Sequence, residues 1–224
     1  MKMLGKFAFS SICGATVFAL LLFLPAGTWR YWQGWVFLAV FALCTSIPSV
    51  YLLRTNPAAL ERRMHAGPFS ETRMAQKVII SVAAFSLLGM IVLSALDYRF
   101  NWSSVPAAVS LAGDVLVAIG LSVAMLVVVQ NAYAAANVTI EAGQKLASTG
   151  LYGLVRHPMY AGDVIMMVGI PLALGSYWAL LLVIPGLVAL ALRIRDEEQL
   201  LTQELSGYDD YRRQVPYRLV PYVW

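Results

Sequence analysis

The chain has 224 residues, 60% of them hydrophobic and 12% charged, a balance too apolar for an ordinary soluble domain. Its formal charge of +4 does not argue for nucleic acid, because the cations gather at the ends of apolar runs as topology signals do. Cys13 and Cys44 lie inside apolar runs without metal-ligand spacing, so neither a disulfide framework nor a zinc site has support.

Four apolar runs come first, Phe7 to Leu24, Trp35 to Leu53, Val78 to Leu96 and Val105 to Val129. Each is close to the roughly 20 residues that cross a bilayer as a helix. The first, preceded by Lys2 and Lys6, also has the flank of a signal peptide, but it is long for that role and lacks a small-x-small cleavage site. Between the second and third runs, Pro57, Leu60, Met64 and Pro68 interrupt a charged loop from Arg54 to Lys77, the pattern of a stretch lying against headgroups. His65 in this loop reads as a solvated histidine. Asp114, inside the fourth run, is costly in lipid. It reads as a helix-packing or interfacial residue near the outer end, beside Gly113 and Gly120, whose small size permits close helix approach.

The next apolar stretch, Val164 to Leu192, is too long for one upright helix and short for two, with Gly175-Ser176-Tyr177 as a turn signal in its middle. It predicts a tight helical hairpin. Six crossings then place the N-terminus, the Arg54 to Lys77 loop, the Asn131 to Tyr160 loop and the C-terminal tail on one side, leaving only Arg30 and Arg99 opposite. The positive-inside rule makes the cation-rich side cytoplasmic. A single crossing would break that pattern by carrying Arg212, Arg213 and Arg218 outside. The expected architecture is an all-α, polytopic integral membrane bundle of five to six spans. Residues 1–130 supply four N-terminal helices, and residues 131–224 a loop, the hairpin and a C-terminal helix.

The chemistry-bearing residues flank the hairpin. Ahead of it runs Gly150-Leu-Tyr152-Gly-Leu-Val-Arg156-His157-Pro158-Met159-Tyr160-Ala-Gly162; behind it runs Arg193-Ile-Arg195-Asp196-Glu197-Glu198. Pro158 biases His157 toward extended backbone, so the imidazole is presented from a loop. Tyr152 and Tyr160 offer flat faces with polar tips, suited to a purine ring or to the headgroup boundary. Arginine, tyrosine and proline beside a span are also ordinary interfacial anchors and helix starters. Arg193 and Glu197, four apart, suit a surface helix pair; equally, Arg193 suits an anionic substrate group and Glu197 a cofactor amine or ribose. Leu200, Leu201 and Leu205 continue a structural helical stripe.

Arg156-His157-Pro158-Met159-Tyr160, the Glu197-Glu198 pair, Gly207-Tyr208 with Tyr211, and Val215-Pro-Tyr-Arg218-Leu-Val-Pro221 together resemble the isoprenylcysteine carboxyl methyltransferase family. Phospholipid N-methyltransferases share the broader pattern. The resemblance covers roughly the last 90 residues by motif. It implies a membrane enzyme that binds S-adenosylmethionine in a cytosol-facing pocket and methylates a lipophilic or lipid substrate entering from the bilayer. Carried over by position, Gln144, Lys145, Leu146, Ala147, Tyr152, His157, Pro158, Met159, Tyr160 and Glu197 surround the cofactor. Asn137 stands where eukaryotic members have a cofactor-contacting glutamine, a different residue type. The Leu205-Ser-Gly-Tyr208 turn is shorter than the eukaryotic one.

Arg193 matches the position that meets the substrate carboxylate. A carboxylate acceptor needs no general base, whereas an ammonium must first lose a proton, to Glu198 or His157. Arg193 and Glu198 are therefore the catalytic candidates. The short loops and simple Lys-and-Arg topology fit a bacterial inner membrane, where a small isoprenoid or lipid carboxylate or an amine headgroup is the expected acceptor. Two other readings stay open: a membrane sterol reductase using a nicotinamide cofactor, which has a similar polar C-terminal region, and a non-catalytic membrane protein with an interfacial belt.

Overall fold

The computed structural model describes residues 2–64, 73–131 and 146–224. They form eight α-helices: α1 Lys2–Ala26, α2 Trp32–Thr55, α3 Pro57–Met64, α4 Met74–Phe100, α5 Ala107–Gln130, α6 Pro158–Ala173, α7 Val183–Glu204 and α8 Tyr208–Gln214. Short 3-10 turns at Gly150–Gly153 and Trp178–Leu182 precede α6 and α7. No strand occurs among the described residues. The expected all-α membrane bundle is what the chain forms.

Large apolar residues face outward on the long helices, as lipid requires, among them Leu24, Ile47, Phe85 and Val115. Among the described residues, four helices are long and apolar enough to cross a membrane: α2, α4, α5 and α7 with its leading turn. Ser10–Ala26 within α1 and the whole of α6 are shorter apolar helices. Inside, Phe23, Tyr31, Phe37, Met90, Ile91, Val117, Ile170 and Leu174 form the main core.

The hairpin is real, and its arms diverge onto different partners: α6 lies along α5, and α7 along α4. Glycines explain the first pairing. A Cβ on Gly113 would fall 2.2 Å from the Ala173 backbone nitrogen, and one on Gly120 would fall 2.5 Å from the Gly162 carbonyl oxygen. The close approach anticipated for these glycines is therefore a backbone-on-backbone contact. Asp114 is buried in this layer at 5% exposure, and neither carboxyl oxygen has a hydrogen-bond partner among the described residues.

A polar clasp holds the hairpin turn. Gly175 takes φ +71°, a conformation only glycine adopts without strain. Ser176 then donates to Asp97 Oδ2 at 2.5 Å, while Asp97 also accepts from the Ser103 amide and hydroxyl, both at 2.7 Å. The Tyr31 hydroxyl donates to the Leu174 carbonyl at 2.5 Å. Polar groups of the α4–α5 loop, the α2 start and the hairpin turn thus satisfy one another at the end of the bundle away from the cation-rich loops.

The Arg54 to Lys77 loop differs in part from the interfacial reading. Its first half is α3, begun by Asn56, whose side chain accepts from the Ala59 amide at 3.2 Å. Ala59 and Leu60 pack against Leu52 and Val128, so Leu60 faces the bundle instead of the headgroups. His65 lies outside the described residues.

Candidate functional site at the polar end of the hairpin

Three segments far apart in sequence converge where α6 begins and α7 ends. Pro158 occupies the first turn of α6, where its missing N–H is no loss, and His157 caps the helix. The backbone around this cap is fixed from the C-terminal segment: the Arg156 amide donates to the Tyr217 carbonyl and the His157 amide to the Arg218 carbonyl, both at 2.9 Å. The imidazole is thereby aimed toward α7. With 16 residues, α6 rises about 24 Å, less than the roughly 30 Å of a hydrocarbon core. Its polar start consequently lies close to the edge of the apolar layer.

Glu198 is the hub. Its Oε1 accepts from Arg156 Nε at 2.8 Å and lies 3.3 Å from His157 Nε2, while its Oε2 accepts from Arg218 Nε at 2.9 Å. Arg156 also donates through one terminal nitrogen to the carbonyls of Val215 and Pro216, at 2.8 and 2.7 Å. Arg218 in turn lies over the Trp224 ring, 5.2 Å from its centroid. A carboxylate clamped by two guanidinium groups is a fastener and a poor proton acceptor. The geometry thus gives Glu198 a positioning role, where the sequence offered it as a base.

Glu197, one residue earlier, is half-buried and differently engaged. It accepts from the Tyr160 hydroxyl at 2.7 Å, and the same hydroxyl accepts from Arg193 Nε at 2.9 Å. Arg193 and Glu197, the expected i, i+4 neighbours, are joined through that tyrosine. The His157 and Tyr160 rings stack with centroids 5.5 Å apart. His157 Nδ1 stands 4.0 Å from Glu197 Oε2.

Two helpers at the start of α4, Gln76 in its first turn and Arg73 at its N-cap, escaped the sequence reading. Gln76, fully buried, accepts from Arg193 through Oε1 at 2.9 Å and donates through Nε2 to Asp196 Oδ2. Arg73 pairs with Asp196 at 2.7 Å. The only sequence signal for Gln76 was one amide in the first turn of an apolar span.

On the other flank, Gly150 adopts φ +64°, and a Cβ there would lie 2.8 Å from Gln130 Oε1, which accepts from the Leu151 amide at 3.1 Å. This turn sets Tyr152, whose hydroxyl accepts from Asn131 at 3.2 Å and whose carbonyl accepts from the Tyr211 hydroxyl at 2.7 Å. Leu146, Tyr152, Leu201 and Leu205 pack on Tyr208, Tyr211 and Val215. Burial pushes the Tyr152, Tyr208 and Tyr211 phenols above their ordinary range, so all three stay neutral near pH 7. The Tyr208 hydroxyl, though buried, has no partner among the described residues.

Of the sequence-derived candidates, the structure therefore brings together Tyr152, His157, Pro158, Tyr160, Arg193, Glu197 and Glu198. Leu146 belongs to the adjoining tyrosine cluster, and Ala147 lies on the approach to the Gly150 turn. Met159 packs the other way, against Leu52, Ala59, Leu60 and Val128. Asn137, Gln144 and Lys145 lie outside the described residues. No cluster of metal-ligating side chains occurs among the described residues.

The fold and site define a polytopic membrane protein with a polar, tyrosine-rich cluster at one end of its bundle. A family model described as phospholipid methyltransferase matches residues 109–208, which take in α5, the polar loop, the hairpin and the start of α8. The match supports the broader methyltransferase pattern read from the C-terminal motifs. The chain is also 36% identical over 85 residues to the Delta(14)-sterol reductase of Mus musculus, a similarity covering 37% of this chain and 20% of the reductase. The aligned part of this chain thus spans about a fifth of that relative's length.

Proposed function

We propose that the chain is a membrane methyltransferase that moves the methyl group of S-adenosylmethionine to a lipophilic acceptor, a carboxylate of an isoprenoid or prenylcysteine-like compound. The observation that carries this reading is the convergence of His157 and Tyr160 with Glu197 and Glu198 across the hairpin, within a region similar to phospholipid methyltransferases. The residues present suit the cofactor: Glu197 is a partly exposed acceptor for amine or ribose hydroxyl groups, the stacked His157–Tyr160 pair offers a ring face, and Tyr208 holds an unmet hydroxyl.

The cofactor supplies an electrophilic methyl group on sulfur, and the protein's task is to hold nucleophile and methyl carbon in line and dry. Glu198 keeps Arg156 and His157 in place. Tyr160 and Gln76 fix the Arg193 guanidinium at the membrane side of the recess, where it orients an anionic acceptor. An amine acceptor, as in phospholipid N-methylation, is the alternative within this class. An ammonium needs a proton acceptor, and with Glu198 committed to two arginines that role would fall to His157. With the cation-rich ends of the helices facing the cytoplasm, the pocket opens where S-adenosylmethionine is available.

A nicotinamide-dependent membrane reductase is the second reading, favoured by the sterol reductase similarity. Calorimetric titration of the detergent-purified protein with S-adenosylhomocysteine and, separately, NADPH decides between them. Saturable binding of the first alone is expected; binding of NADPH alone overturns the methyltransferase reading, and binding of neither leaves an interfacial structural protein. Incubation with labelled S-adenosylmethionine and membrane lipid extract then identifies the acceptor.

A further inference from the structure

The outward face of α7 changes character along its length. Leu181, at the turn leading into the helix, and then Ile184, Val188 and Leu192 are exposed apolar residues at steps of three and four, a stripe turned to lipid. The same steps continue through Arg195, Gln199, Thr202 and Gln203. These polar residues form one wall of a cleft of about 370 Å³, closed by Arg212 of α8 and Arg218 of the C-terminal segment, with Glu198 at its floor.

Charge in the cleft is unbalanced. Glu198, its one carboxylate, is already matched by Arg156 and Arg218. Arg195 and Arg212 are exposed and have no carboxylate in salt-bridge reach among the described residues. Two uncompensated guanidinium groups therefore face a recess whose remaining lining is the paired Glu198 and Arg218, two neutral amides and a hydroxyl, an excess of donors matched to phosphate oxygens. From Leu192 to Arg195 a helix climbs about 4.5 Å, which brings this recess to the headgroup layer directly above the apolar stripe.

We infer that this cleft is a binding site for the phosphate headgroup of an anionic phospholipid whose acyl chains lie along Leu192, Val188 and Ile184. It shares only Glu198 with the recess proposed for the cofactor, and it is independent of which cofactor that recess takes. Because Arg218 contacts both the cleft and Glu198, headgroup occupancy bears on the clamp that sets His157.

The test is binding of dioctanoyl phosphatidylglycerol to the full chain purified in neutral detergent, followed by native mass spectrometry. Dioctanoylglycerol and inorganic phosphate are the competitors. Arg195 and Arg212, both exposed and outside the proposed cofactor pocket, are replaced together by Gln and, in a second protein, by Lys. The expected result is saturable binding, weakened about thirtyfold by the glutamine pair and within about threefold of the parent for the lysine pair. Neither competitor should displace the lipid at matched concentration. Equal affinity of the glutamine protein and its parent overturns the site and leaves the arginines as topology signals. Displacement by dioctanoylglycerol overturns the headgroup contact. Displacement by inorganic phosphate makes this a soluble-anion site and overturns the lipid assignment.

Discussion

Arg156 and Glu198, forty-two positions apart, form a buried ion pair at 2.8 Å that joins the start of α6 to the end of α7. Removing one member of such a pair strands the other. Glu198→Ala is expected to destabilise the protein by about 3 to 5 kcal/mol, read as a lowered unfolding midpoint in detergent. A glutamate acting only as a base would leave that midpoint in place.

His157, buried beside Glu198, and Glu197, partly exposed, stand outside the two arginine pairs that bind the clamp together. Replacing either by alanine should weaken S-adenosylhomocysteine binding by about ten- to a hundredfold, the scale of one charge-assisted hydrogen bond of about 1.5 to 3 kcal/mol. The size-exclusion profile should stay monodisperse. Calorimetry on both variants is the check, and unchanged affinity in both refutes the cofactor pocket.

Arg193→Ala is expected to spare cofactor affinity and to raise KM for a carboxylate substrate such as a farnesylated N-acetylcysteine. Gln76→Leu should do the same more weakly, because Arg193 then loses one of its supports. Loss of cofactor binding in Arg193→Ala would place that residue in the nucleotide pocket instead.

Gly113 and Gly120 admit no side chain. Gly113→Val places atoms inside the Ala173 backbone and should cost more than the about 1 to 3 kcal/mol of ordinary overpacking. Reduced yield of folded protein in the membrane fraction is the expected sign. Gly5→Val, which meets nothing within 4 Å, serves as the control.

Asp97→Asn should loosen the hairpin turn, because Ser176 and Ser103 both rely on its carboxylate. Faster amide exchange at Ser176 to Ala179, with little change near His157, is the predicted pattern. Uniform exchange across the protein would deny the clasp a local role.

The spans were legible because a bilayer demands long apolar stretches: the first three predicted runs lie inside α1, α2 and α4, and the fourth overlaps α5 apart from Val105 and Pro106. Charge placement exposed the hairpin, since only two crossings keep Arg193 and Arg218 with the other cations. Sidedness then brought His157 and Glu197 to one end before any geometry was known. Pairings between lone polar residues were hidden. Gln76 with Arg193, Asp97 with Ser176, and Arg218 with Glu198 join distant segments, and no local periodicity reports them. The division of labour within the Glu197-Glu198 pair was equally invisible, because it depends on which carboxylate faces the two arginines.

The amides of Arg156 and His157 are tied to carbonyls at positions 217 and 218, which leave the ribosome after the whole of α6 and α7. A nascent chain can thus insert α6 and α7 with the polar clamp around Glu198 still incomplete. A chain cut at position 214 should therefore enter the bilayer with the start of α6 untied from the C-terminal segment.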